Sequence, residues 1–362
     1  MRNRFSGLAS SELQETRAPA PAPRRKATLA DVAEQAGVST STASRALNGH
    51  RGLAPATRAA VEDAAARLKF QPSALARSLR TQQTLTVGFV VPDVSSPFYA
   101  AALQGAQGTL ERAGYRVMLM DANQDVAREL AAVETLLSHQ VDGLLVASAG
   151  LSREVFDRSI GDRPTPTIFF DGVIEGTGDG AVTLDDQQGI ALLVEHLVEH
   201  GHERIGLLAG SQRESAGAAR LRAFTAATAA HGLKPEERDV KVCSWSIADG
   251  RRASLELLAE EKPVTAVLAS SAELALGFMS AASASGARIP DDVALVAFDD
   301  PYFGDLLEPS LTAVAYDPRQ VGATAAELLV DGMRSPSARR EVSIPVRLVR
   351  RRSCGCGAEE TR

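Results

Sequence analysis

Apolar positions along the chain follow two regimes that meet near residue 85. Before that point, short stretches repeat at helical spacing. Leu29, Val32, Ala33 and Ala36 share one helical face. Thr28, with Asp31 three residues on, predicts a capped start for that helix, and Gly37 a left-handed end. A second helix is expected over about 40–47, with Ser39 as its N-cap. A third begins near Pro55, which suits a first helical position, and carries Val61, Ala64, Ala65 and Leu68 on one stripe. Its N-cap position, Ala54, has no capping atom. QPSALARSLRTQQ, residues 71–83, can form a further short helix. Helices below ~12–15 residues are marginal alone in water.

After residue 85 the period shortens. Buried-strand runs alternate with helical stretches: TVGFVV, RVMLM, GLLVA, TIFF, AVTL, RIGLLAG, VKVCS, TAVLAS, VALVAF, TAVAY and VSIPVRLV. Helices are expected near 97–113, 125–139, 187–200, 216–231, 250–260, 272–285 and 319–332. Such alternation implies α/β architecture: parallel, doubly wound sheets covered on both faces. The stretch is long enough for two halves, divided near 183. Two doubly wound halves place a cleft between the carboxyl ends of their strands, where ligands bind.

Composition sharpens this division. The 362-residue chain has a net charge of −6. Residues 1–80 nevertheless hold 13 Lys and Arg against 6 Asp and Glu, so the excess acid lies in the remainder. A basic module on an acidic body points to a polyanion met by the first part only. Residues 1–25, with APAPAP before RRK, read as a disordered leader. They contain no unbroken apolar stretch of the secretory type, and no run in the chain is long enough to cross a membrane, so a cytoplasmic, nucleoid-associated protein is expected. Three cysteines make no disulfide framework. Cys354 and Cys356, one residue apart in an expected tail over 353–362, are too few ligands for a metal site by themselves. No metal or other cofactor is expected.

The chemistry of the first part concentrates in GVSTSTASRALNG, residues 37–49. A solvated surface helix favours Glu, Lys and Gln, whereas this one carries small hydroxyls and one arginine. Two short helices joined through Gly37-Val38 fit a helix-turn-helix. Val38, Ala43, Ala46 and Leu47 then face a three-helix core, while Thr40, Ser41, Ser44, Arg45 and Asn48 face outward. Small hydroxyls permit close approach to a major groove, and an arginine can bond two acceptors on one guanine. The competing reading is a solvated hairpin whose hydroxyls cap locally.

ATLADVAEQAGVSTSTASRALNG closely resembles the N-terminal signature of the lactose-repressor (LacI/GalR) family of transcription regulators. FQPSALARSLRTQQT resembles that family's hinge helix, and LTVGFVVPDVSSPFY the opening of its effector domain. The resemblance covers roughly residues 26–352, with HLVEHGHERIGLLAG and DDVALVAFDD matching further along. It implies a helix-turn-helix domain over 26–71, a hinge over 72–83, and a bilobed effector-binding and dimerisation domain over 84–352, of the periplasmic-binding-protein type. It also implies DNA contacts from Thr28, Ser39, Thr40, Ser41, Thr42, Ser44, Arg45 and Asn48. Thr40 and Ser41 stand at base-reading positions, Arg45 at the base-contacting arginine, and Ser39, Thr42, Ser44 and Asn48 at backbone-positioning sites. In the hinge, Leu79 matches a minor-groove wedge and Ala76 a residue against the groove floor. Such a wedge unstacks a base step and bends the duplex. The alternative for Leu79 is an ordinary core leucine.

By the same resemblance the effector cleft uses Tyr99, Asp171, Arg220, Trp245, Ser271 and Asp299. Carboxylates at strand ends accept sugar hydroxyls, and flat rings stack on sugar C–H faces. Each has a plainer alternative: Asp171 capping a turn, Arg220 pairing with a helix carboxylate, and Trp245 in the core. The chain departs from the family pattern at Ser96, Ala223, Ser271-Ala272 and Ala297, so no particular sugar carries over.

The expected function is repression of transcription by a homodimer on double-stranded, near-palindromic operator DNA. A small sugar-like effector would modulate it, with a coupling of the usual ~1–3 kcal/mol. A solute-binding protein of the same bilobed fold lacks a use for residues 26–80. An enzyme lacks a catalytic constellation: GTGDG at 176–180 matches neither dinucleotide nor P-loop spacing, and His200 and His202 sit unremarkably at a helix end.

Overall fold

The computed structural model describes residues 27–47, 52–70, 83–161, 165–335 and 338–357. The expected leader, Asn48, and the hinge residues Ala76 and Leu79 lie outside them. The chain forms two compact units, residues 1–81 and 82–362.

The small unit is three helices: α1 (Leu29–Gln35), α2 (Thr40–Leu47) and α3 (Pro55–Arg67). Thr28 caps α1 in a reciprocal box. Its backbone N–H donates to Asp31 Oδ2 at 2.7 Å, and the Asp31 N–H donates to Thr28 Oγ1 at 3.3 Å. Gly37 takes the left-handed turn (φ 66°) that carries the chain into α2. Val32, Ala33, Ala43, Ala46, Val61, Ala64 and Ala65 form the core, flanked by Leu29, Ala36, Val38, Leu47 and Leu68. Mostly alanines meet there, so the helices approach closely and the core is thin. Ala54 gives α3 no side-chain cap.

The large unit has two six-stranded sheets. The first contains β1 (Thr86–Val91), β2 (Arg116–Asp121), β3 (Gly143–Val146), β4 (Thr167–Phe170), β5 (Gly180–Leu184) and β11 (Arg340–Ile344), in the order β11-β5-β4-β3-β1-β2. The second contains β6 (Ile205–Ala209), β7 (Val240–Val242), β8 (Ala266–Ala269), β9 (Ala294–Phe298), β10 (Thr312–Ala315) and β12 (Arg347–Val349), in the order β12-β10-β9-β8-β6-β7. All neighbours are parallel except β10 and β12.

Both sheets are covered on both faces. On the first, α4 (Pro97–Arg112) and α11 (Pro318–Arg334) lie on one side. On its other side lie α5 (Val126–Ser138) and α6 (Arg153–Ile160). The second sheet carries α7 (Asp186–Glu199) and α8 (Ser215–Ala230) on one side and α9 (Ile247–Leu258) and α10 (Ala272–Ser285) on the other.

Three features differ from the sequence expectation. A single division near 183 is wrong, because the chain returns: α11 and β11 belong to the first lobe, and β12 to the second. VSIPVRLV is accordingly two strands in two sheets, broken at Pro345, which has no N–H for a ladder. Helix α6 was not anticipated, since only Phe156 of its eight residues is buried and its apolar stripe is too narrow to stand out. Helices α4 and α11 touch backbone to backbone. A Cβ on Gly105 would collide with the carbonyl of Arg319, and one on Gly322 with that of Ala102.

Candidate functional site

Two surfaces carry chemistry. In the small unit, α2 buries Ala43 and Ala46 and turns Thr40, Ser41 and Arg45 to solvent, with Thr42 and Ser44 partly covered. Ser39, also exposed, organises its start. Thr42 N–H donates to Ser39 Oγ at 3.2 Å, and the hydroxyls of Ser41 and Thr42 each lie 2.9 Å from that oxygen. The hydroxyls therefore do cap locally, as the plainer reading held. Yet no ion pair holds Arg45 among the described residues. Thr28 is exposed, with its hydroxyl donating to Asp31 Oδ2 at 2.8 Å.

In the large unit, a cleft of about 780 Å³ opens between the lobes. All six cleft residues expected from the sequence line it: Tyr99, Asp171, Arg220, Trp245, Ser271 and Asp299. The two aspartates hold matching places. Asp171 follows β4 and Asp299 follows β9, each after a buried phenylalanine and each with positive φ (58° and 76°). Non-glycine residues rarely adopt that region, which costs of order 1–3 kcal/mol and concentrates at functional sites. Each carboxylate also accepts a tyrosine hydroxyl, Asp171 from Tyr99 at 2.8 Å and Asp299 from Tyr316 at 2.6 Å.

Arg220 sits between the walls, only 4% exposed. Nε donates to Asp186 Oδ1 at 2.8 Å, and Nη1 donates to the carbonyl of Ser270 at 2.7 Å with Asp299 Oδ2 3.6 Å away. The expected helix-carboxylate partner is thus real, since Asp186 opens α7. The guanidinium also lies 3.8 Å from the Phe298 ring centroid and 5.8 Å from that of Trp245. Burial alone would lower its pKa, but Asp186 and Asp299 outweigh this and push it up. The charge is fixed and largely committed, which leaves a positioning cation rather than a free anion clamp.

The acids respond in the opposite direction. Burial pushes Asp171 up to about 6, against the opposing charge of Arg220 and the Tyr99 hydrogen bond. Burial, then the negative charge of Asp171, pushes Glu214 up to about 7. Burial also raises Asp299 and Glu273. Trp245 is half-buried, with its ring against Gly210 so closely that no Cβ would fit there. Ser271 Oγ accepts from Leu274 N–H at 3.3 Å and so caps α10 while facing the cleft.

Sequence reasoning missed Glu214, Glu273, Asp186 and Tyr316. Tyr316 ends the TAVAY run and Asp186 lies two residues after AVTL, so position just after a strand was the available signal. Glu214 had none, because its burial is made by segments distant in sequence.

The cleft offers several hydrogen-bond acceptors, the committed cation Arg220, the exposed Arg319 in its lining, and aromatic faces from Phe98, Tyr99, Trp245 and Tyr316. The acceptors and rings suit a hydroxyl-rich molecule. Among the described residues no helix is long and apolar enough to cross a membrane.

Comparison with known proteins follows the same division. Residues 28–73 match the model of bacterial regulatory proteins, lacI family, and residues 194–354 match the periplasmic binding protein-like domain. The chain is 32% identical over 302 residues to the HTH-type transcriptional regulator GalR of Escherichia coli (strain K12), covering 83% of this chain and 88% of that one. Among solved structures it resembles the lac repressor dimer bound to operator and the anti-inducer ONPF. There the identity is 28%, the TM-score 0.82, and the coverage 91% of this chain and 99% of that one. It also resembles the transcriptional regulator CelR–cellobiose complex, at 30% identity and TM-score 0.69, covering 90% and 99%.

Proposed function

Because the chain belongs to the LacI family of DNA-binding transcriptional regulators, whose members are not enzymes, we propose that it is a repressor that grips a near-palindromic operator as a homodimer and is switched by a sugar-like effector in the cleft. The observation that carries this reading is the outward face of α2. Thr40, Ser41 and Arg45 are exposed while Ala43 and Ala46 hold the opposite face to the core. Thr40 and Ser41 read base edges, Arg45 bonds a guanine, and Ser39, Thr42, Ser44, Asn48 and Thr28 position the phosphates. The hinge wedge of Leu79, and Ala76 against the groove floor, belong to the same proposal.

The effector reading rests on cleft chemistry. Asp171 and Asp299 accept ligand hydroxyls, Tyr99 and Trp245 supply stacking faces, and Arg220 and Ser271 orient the ligand. The cellobiose complex of CelR favours a sugar within that class. The homodimer reading has support in the lac repressor relative, a dimer on its operator. Exposed Leu119 on edge strand β2 and Val242 on edge strand β7 add apolar surface that a second copy would cover. A two-fold protein reads two half-sites.

The test is selection of duplexes from a random library by the full chain, followed by light scattering of the complex. Enrichment of a near-palindrome bound by two chains is expected. Recovery of no preferred sequence, or of one chain per duplex, would refute the proposal.

A further inference from the structure

Read from sequence alone, Cys354 and Cys356 have no companions. The fold supplies two. His196 and His200 lie four residues apart on one face at the end of α7, and this spacing aligns side chains on a helix. The Sγ atoms of Cys354 and Cys356 and one nitrogen from each histidine all lie within 4.8 Å of one another. Cys356 Sγ is 3.5 Å from His196 Nε2 and 3.4 Å from His200 Nε2. The two sulfurs are 3.2 Å apart. We infer that His196, His200, Cys354 and Cys356 form a tetrahedral zinc site that pins the end of the chain to α7.

The distances fit this ion. A tetrahedral zinc about 2.3 Å from sulfur and about 2.0 Å from nitrogen separates sulfur from nitrogen by about 3.5 Å and sulfur from sulfur by about 3.8 Å. The sulfurs are somewhat closer than that, so a small side-chain rotation accompanies binding. They are far outside the about 2.05 Å of a disulfide. Two thiolates neutralise the doubly charged ion, and thiolate with imidazole selects zinc over calcium or magnesium.

Both halves of the site are held in advance. Gly355 between the cysteines has φ 93°, a turn that brings both thiols to one side. Ser353 fixes that turn. Its hydroxyl donates to the Leu295 carbonyl at 2.6 Å and accepts from Thr312 N–H at 2.9 Å, while its own N–H donates to the Ser310 carbonyl at 2.9 Å. Ser353, Cys354 and Cys356 are buried rather than trailing as a tail. On the helix side, Ile190, Leu193, Val194 and Leu197 anchor α7 in the core.

Surrounding groups set the protonation that ligation needs. His200 Nδ1 lies 2.9 Å from the His196 carbonyl, which can only accept, so Nδ1 carries the hydrogen and Nε2 presents a lone pair. Thr312 Oγ1 accepts from Arg351 N–H at 2.8 Å and lies 3.0 Å from Cys354 Sγ, so its hydroxyl is placed to donate to a metal-bound sulfur. Four protein ligands with no open position describe a structural rather than a catalytic ion.

The test uses the full, untagged chain. Elemental analysis should find one zinc per chain. After chelation, cobalt(II) should restore one equivalent, with the intense visible bands of a four-coordinate ion and thiolate charge-transfer absorption. Cys354→Ser and Cys356→Ser should remove the charge-transfer bands in proportion. His200 is exposed, so His200→Ala leaves the apo fold intact and guards against a folding artefact. It should weaken binding by more than the ~10–100-fold that losing an outer partner costs. A folded wild-type chain that takes up no cobalt would overturn the site. So would His200→Ala binding as tightly as wild type, or a Cys354–Cys356 disulfide formed in place of the bound ion.

Discussion

Replacing Glu214 with glutamine reads what burial and the neighbouring Asp171 charge together do to a cleft carboxyl. The group is 6% exposed at the start of α8, and burial pushes its pKa from the ordinary 4.5 up to about 7. A raised acid holds its proton in the folded chain where the unfolded chain has lost it. Folding therefore takes up a proton between pH 4.5 and 7, and stability falls as pH rises through that window. Glutamine mimics the protonated acid and has no such dependence. At roughly 1.4 kcal/mol per pKa unit, the wild type should lose about 2–3 kcal/mol relative to Glu214→Gln between pH 5 and pH 8. Urea unfolding of both proteins at pH 5, 6, 7 and 8, followed by tryptophan fluorescence from Trp245, reads the difference directly. Groups with depressed pKa, such as Asp292 and Asp249, change below this window and cancel between the two proteins. A difference that stays flat with pH, or grows in favour of the wild type as pH rises, would show that Glu214 is solvated rather than buried in the cleft wall.

Other outcomes follow from the same geometry. Arg45→Ala should weaken operator binding by ~1–3 kcal/mol and relax selectivity at one base pair in a mobility-shift assay; unchanged selectivity would remove Arg45 from the groove. Arg220→Met strands the carboxylates of Asp186 and Asp299 beside a buried site, and urea unfolding should show a loss of ~3–5 kcal/mol. A neutral result there would mean the cleft is wet. Gly322→Val drives a side chain into the Ala102 backbone, so destabilisation of at least ~1–3 kcal/mol is expected by the same measurement.

Local signals in the sequence translated well into local structure. Thr28 and Asp31 marked a cap, Gly37 a left-handed turn, and Thr40, Ser41 and Arg45 an exposed helix face, because each depends on neighbours within a few residues. The six cleft residues were reachable because the family resemblance supplied them and most sit at strand or helix ends. What stayed hidden was long-range. Hydrophobicity marked VSIPVRLV as extended but could not say that Ile344 and Leu348 join different sheets. It marked the helix near 319–332 but not its return to α4, which depends on the close approach permitted by Gly105 and Gly322. The burial of Glu214 and the meeting of His196 with Cys356 are products of the assembled lobes, and no short window contains either.

Ligand in the cleft should alter the grip on DNA. Fluorescence anisotropy of a labelled operator recovered by selection, titrated with the full chain with and without mono- and disaccharides, tests it most directly. One sugar should shift operator affinity by ~5–150-fold, and Asp299→Asn should abolish the shift while keeping the sugar-free affinity. Asp299→Asn responding as the wild type does, or an operator affinity that no sugar moves, would contradict it.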